Sequence, residues 1–202
     1  MSLYVVIHAP HSGSTEVGAV TPGGLTEHAM GHVACAAMAQ ELSLDPGTQA
    51  TIITGPVISS WKHINDALRQ GAKRGMHTLA VAPHFNSSTN PTTTGHTAVI
   101  PANCALSVLA AVEVFSQIES ALPWSRRKPI ISVPDKRYKE KEWPNNLIFP
   151  RLVTTPSILI EPGFIQDKRF CDWIEADSGA AYGVLVARAI INWRRNLEYK
   201  HD

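Results

Sequence analysis

"LYVVIHAPHSGSTEVGAVTPGGLTEHA", residues 3–29, decides how the rest of the chain is read. Leu3 to Ile7 is apolar without polar alternation, the pattern of a strand covered on both faces. It breaks into His8, Pro10, His11 and Gly13, then passes through a glycine-rich loop to Glu27, sixteen residues after His11. Polar residues at the end of such a strand stand where open α/β sheets bind ligands.

Five more short runs share the pattern: Ala50–Thr54, Thr78–His84, Thr97–Ile100, Ile130–Val133 and Ser157–Glu161, after a first strand over Leu3–His8. Helical spacing fills the gaps. Thr26 to Leu42 aligns Met30, Val33, Ala34, Ala37, Met38 and Leu42 on one stripe. Ser59 or Ser60 is expected to cap a second helix carrying Trp61, Ile64, Leu68 and Ala72. Asn103 is expected to open a third, running to Leu122, and a last begins near Ser178. The alternation predicts an α/β three-layer sandwich: a mostly parallel twisted sheet of about six strands with helices on both faces. No repeat or composition break divides the chain, so residues 1–202 read as a single domain.

The bulk numbers remove several classes of function. With 44% hydrophobic and 17% charged residues the chain is globular, and a net charge of +1 gives no electrostatic case for nucleic acid or an anionic membrane. Cys35, Cys104 and Cys171 are odd in number and far apart, which excludes a disulfide scaffold or a cysteine-rich zinc site. No apolar stretch is long enough to span a bilayer, and Met1-Ser-Leu-Tyr has no basic start of a signal peptide. HExxH, GxSxG, the P-loop and GxGxxG are all missing.

Laid on this layout, His11 falls just past the first strand, His84 closes the third in "TLAVAPHFN", and Glu161 ends the last in "SILIEPGF". Glu27 begins a helix and can return to the same edge. Taken singly, each histidine reads as hydrogen-bonded structure, Glu27 as a first-turn glutamate favoured by the helix dipole, and Glu161 as half of an ion pair. Taken together, two histidines and a carboxylate are a catalytic zinc ligand set, and a further carboxylate is the expected proton shuttle.

Read in order, "PHSGSTEVGAVTPGGLTE", "VAPHFN" and "LIEPGFIQD" resemble the zinc-dependent N-acetylmuramoyl-L-alanine amidases of the Amidase_3 family. That family carries "GHGG…D.GA" then glutamate, "SIHxN" after a strand, and "LxExGF" near the end. The similarity runs from Val5 to the last helix. It implies that His11, Glu27 and His84 hold one Zn²⁺ and that Glu161 is the catalytic carboxylate. Arg69, in "ALRQGAKRG", sits where the family has an arginine, and Arg69, Asn86 or His8 is the expected oxyanion or substrate contact. The chain departs from the family at His8, where aspartate is usual, and at Ser12, where a second glycine is usual.

The resemblance further implies peptidoglycan as the partner, a monomeric catalytic domain similar to a small phage endolysin, and action at the cell wall by an export route that the sequence does not give. "PHSG" also resembles the N-formylglutamate amidohydrolases, and a wall-binding module without turnover is a third reading. The loop Asn86–Gly95 and the basic, tryptophan-bearing stretches "PWSRRKP" and "DKRYKEKEWPNN" read either as solvated connections or as walls of a substrate groove. Trp124 and Trp143 read either as packed residues or as stacking platforms for sugar or peptide.

Overall fold

Strands β1 (Leu3–Ala9), β2 (Thr48–Thr54), β3 (His77–Pro83), β4 (Thr97–Pro101), β5 (Ile131–Val133) and β6 (Ser157–Glu161) form one sheet in the order β2-β1-β3-β6-β4-β5. The computed structural model describes residues 1–11, 16–90, 92–125, 130–133, 149–153 and 156–198. All pairings are parallel except β4 with β6, where Thr97 lies opposite Glu161. The six predicted strands are all present, each within two residues of its expected bounds. Antiparallel β4 was not anticipated, because a short apolar run carries no sign of its direction.

Helices α1 (Glu27–Ser43), α3 (Ala105–Ala121), α5 (Lys168–Glu175) and α6 (Ala180–Glu198) cover one face. Helices α2 (Val57–Lys73) and α4 (Phe149–Leu152) cover the other. Six of the seven β1 residues are therefore buried, which explains the unalternating run. The chain leaves β1 for one edge of the sheet and β3 for the other, so the order reverses between these two strands. Such a switch point opens a crevice beyond the carboxyl ends.

Thr26 caps α1, its Oγ1 accepting from the Ala29 amide at 3.1 Å. The helix buries Met30, Ala34, Cys35, Met38 and Leu42, whereas Val33, expected on that stripe, is exposed. Gly183 of α6 makes the tightest contact with α1: a Cβ there would stand 2.1 Å from the Ala34 carbonyl oxygen, so only glycine lets the helices meet. Helix α2 starts earlier than expected, with Pro56 at its N-cap. Ser59 and Ser60 lie inside it, donating to the Pro56 and Thr54 carbonyls instead of capping. Helices α3 and α6 each begin two residues late because Asn103 and Ser178 take positive φ (59° and 56°), outside the right-handed helical region. Helices α4 and α5 were not predicted. Asp167 caps α5 through the Arg169 amide, and Phe170, Cys171 and Ile174 bury its inner face.

Candidate metal centre

Three side chains converge at the switch point. His11 follows β1, His84 follows β3, and Glu27 opens α1 beside them. Nδ1 of His84 lies 2.9 Å and Nε2 of His11 3.2 Å from Oε1 of Glu27. The imidazoles meet edge to face with centroids 5.5 Å apart. All three residues are buried, and one donor atom from each lies within 4.8 Å of the others. Among the described residues this is the one group of three or more such side chains able to share an ion.

The backbone fixes the carboxylate. Oε1 of Glu27 accepts from the Phe85 amide at 3.1 Å, and Oε2 accepts from the Ala19 amide at 2.9 Å. Gly18, with φ of 71°, passes so close that a Cβ would lie 2.5 Å from Oε2 of Glu27 and 2.8 Å from Nε2 of His11. His11 itself has a φ of 69°, a conformation that costs energy outside glycine and that clusters at functional sites. These backbone partners were not singled out from the sequence, although the "EVGA" text that holds Gly18 and Ala19 was part of the resemblance.

Burial opposes ionisation of Glu27, but hydrogen bonds from His11 and His84 and their charges outweigh it and hold the carboxyl far below its ordinary range. Burial likewise opposes charge on His11, yet Glu27 and Glu16 more than offset it and raise its pKa. Both ring nitrogens of His11 are buried without a well-formed hydrogen bond. A cation at the shared point would give Nε2 the partner it lacks and compensate the buried carboxylate. Two imidazoles and a carboxylate suit a borderline divalent ion, so the residues present fit a metal.

Glu161, the last residue of β6, faces a cavity of about 430 Å³ that Glu27, Gly18 and Asn86 also line. Burial, and then the negative charge of Glu27, push its carboxyl up to about 8. Asn86 donates its side-chain amide to Oε2 of Glu161. Its backbone is pinned on both sides, to the Gly163 carbonyl and the Ile165 amide. Tyr182 of α6 donates to the Ile160 carbonyl at 3.0 Å, bracing the strand end that carries Glu161.

Other expected contacts lie elsewhere. Arg69 points outward from α2, its side chain 65% exposed and paired with Asp66, and it does not line the cavity. A helix periodicity that seats Leu68 in the core turns the next residue to solvent. His8 stays within β1, buried, with Nε2 donating to the Gly55 carbonyl at 2.8 Å and its ring stacked on Phe149. Burial lowers its pKa to about 4, so it is a neutral part of the packing. Trp124 packs partly buried against the core with the Arg169 guanidinium over its ring. Of the loop Asn86–Gly95, Asn86 and Ser87 line the cavity. Ser12, Gly13, Trp143, "DKRYKEKEWPNN" and residues 126–129 lie outside the described residues.

Solved structures share the architecture along the full chain. An N-acetylmuramoyl-L-alanine amidase, AmiC2, of Nostoc punctiforme superposes with a TM-score of 0.68 at 20% identity, covering 99% of this chain and 98% of that one. An N-acetylmuramoyl-L-alanine amidase from Clostridium difficile 630 gives 0.72 at 19% identity, with 96% and 97% covered. The catalytic domain of the CD27L endolysin targeting Clostridia difficile gives 0.68 at 14% identity, with 95% and 98% covered. No curated protein matches at the level of sequence. The model of the N-acetylmuramoyl-L-alanine amidase family, however, matches residues 5–192. Nearly the whole chain is spanned by that match, and it carries both histidines and both glutamates of the strand-end site: the chain belongs to the N-acetylmuramoyl-L-alanine amidase family.

Proposed function

We propose that His11, Glu27 and His84 hold one Zn²⁺ and that Glu161 is the general base of amide hydrolysis. As a family member the chain is a peptidoglycan amidase, cutting between N-acetylmuramic acid and the L-alanine of the stem peptide. The carrying observation is the convergence of three metal-ligating side chains at one edge of the sheet, with Glu161 facing the same cavity. Family membership favours this over N-formylglutamate hydrolysis and over a wall-binding module without turnover.

Held by His11, Glu27 and His84, zinc would supply Lewis acidity, lowering the pKa of a water and polarising the scissile carbonyl. The chain's own residues do the rest. Glu161 takes the proton of the attacking water and returns it to the departing amine of L-alanine. Asn86 holds the carboxylate of Glu161 in place through Oε2, leaving Oε1 for the proton. The Ala19 and Phe85 amides hold Glu27 in one orientation, so its carboxylate need not reorganise when substrate arrives. The site is assembled within a single chain, which supports action as a monomer at the cell wall. No helix among the described residues is long and apolar enough to cross a membrane.

Digestion of purified peptidoglycan tests the proposal. New L-alanine amino termini should appear, vanish on chelation, and return with added zinc. Hydrolysis of N-formylglutamate with intact wall polymer would overturn it.

A further inference from the structure

One pair of nitrogen donors lies outside the strand-end site. His28 and His32 are one turn apart on α1, a spacing that puts both side chains on the same face of a helix. Their rings pack with centroids 4.3 Å apart, tilted by 55°. Nδ1 of His28 and Nε2 of His32 are each buried and lack a hydrogen-bond partner. Buried polar atoms in folded proteins are rarely left unsatisfied, and two on adjacent rings call for a shared partner. Burial, and then the neighbouring imidazole, lower the pKa of His32.

We propose that His28 and His32 form a second metal site, taking a borderline divalent transition ion such as Zn²⁺ or Ni²⁺ between their free nitrogens. Imidazole pairs at i and i+4 on a helix bind such ions, with water completing the coordination. The site has a structural consequence as well. The His28 amide donates to the Val17 carbonyl at 3.0 Å. An ion on the pair therefore stiffens the first turn of α1 where it holds the loop carrying Gly18 and Ala19 over Glu27. This site does not depend on the zinc assignment at His11, Glu27 and His84.

The test is calorimetric titration of metal-stripped, untagged protein with Zn²⁺. Wild type should take up two ions, one tightly and one more weakly. His32→Gln should lose the weaker class, its apparent Kd rising about tenfold or more because one imidazole alone is a poor chelator. It should keep the tight ion and the wild-type melting temperature in chelator. His84→Ala should do the reverse, losing the tight class and keeping the weaker, which separates failure here from failure of the strand-end assignment. A zinc-induced rise in melting temperature that persists in His84→Ala and disappears in the His84→Ala, His32→Gln double variant gives a second measure. Uptake of a single ion by wild type, or a weaker class unchanged in His32→Gln, overturns the proposal.

Discussion

Asn86 and Glu161 are joined across the rim of the sheet: the side-chain amide of one donates to Oε2 of the other. The residue two places after His84 thus orients the carboxylate that ends β6. Glu161→Gln should lower turnover of peptidoglycan about 10²–10⁴-fold, the usual contribution of a general base. Bound zinc should stay at the wild-type level. Asn86→Ala should cost about tenfold or more in kcat with zinc content unchanged, since it loosens the base without removing it. A drop in metal content in either variant would place that side chain in the coordination sphere instead.

The elevated pKa of Glu161 has a measurable counterpart in metal binding. Its second cause is the charge of Glu27, which a bound cation cancels. At pH 7, below its value of about 8, Glu161 is mostly protonated without metal, and zinc should drive that proton off. In weakly buffered solution, zinc binding should release more protons from wild type than from Glu161→Gln, by about one per molecule at most. Equal release would mean that Glu161 does not sense the metal.

Gly18 leaves no room for a side chain above Glu27 and His11. Gly18→Ala must seat a Cβ against the carboxylate and hold a positive φ, a strain of about 1–2 kcal/mol. Zinc affinity should fall about tenfold or more as the ligands are pushed apart. Zinc titration together with a denaturation curve checks both effects, and wild-type affinity would mean that the loop yields freely.

An ionic knot ties the turn between α1 and β2 to α6. Asp45 accepts from Thr48 Oγ1 at 2.7 Å and from Arg194 and Arg195 at 3.2 Å. Burial resists its ionisation, but the Thr48 hydrogen bond and the two guanidinium charges prevail and hold its pKa below the ordinary value. A depressed carboxyl pKa stabilises the fold above the unfolded-state pKa of about 4, and the contribution fades as pH falls through the folded value. Asp45→Asn should cost about 2–3 kcal/mol at pH 7, because the buried Arg194 loses its buried counter-ion and keeps only the more exposed Glu198. The gap to wild type should narrow as the pH drops below about 4. Urea unfolding at a series of pH values reads this directly, and a constant gap would rule it out.

Much of the sheet was legible because the inner strands are roofed on both faces and their composition is uniformly apolar, as in β1 and β3. His11, His84 and Glu161 were legible for a related reason, since each follows or ends such a run, whereas Glu27 opens a helix and was legible from the resemblance. What escaped had no local signature. The direction of β4 depends on which neighbour it meets. The outward turn of Arg69 is set by Leu68 packing inward, and the burial of His8 by Gly55 and Phe149, distant in sequence. The start of α2 was misplaced because two serines suggested a cap where Pro56 had already set the turn.

Because β4 runs against β6, the chain enters the rim opposite Glu161 at Thr97 and does not depart from it there. The connector after β3 therefore begins at Asn86, which donates to Glu161, and ends at Thr97, which lies opposite it. Lengthening or trimming it would resize the opening for a bulky glycan while His11, Glu27 and His84, placed by the ends of β1 and β3 and the start of α1, stayed put. A lineage could thus adapt to wall polymers of different girth by editing one connector.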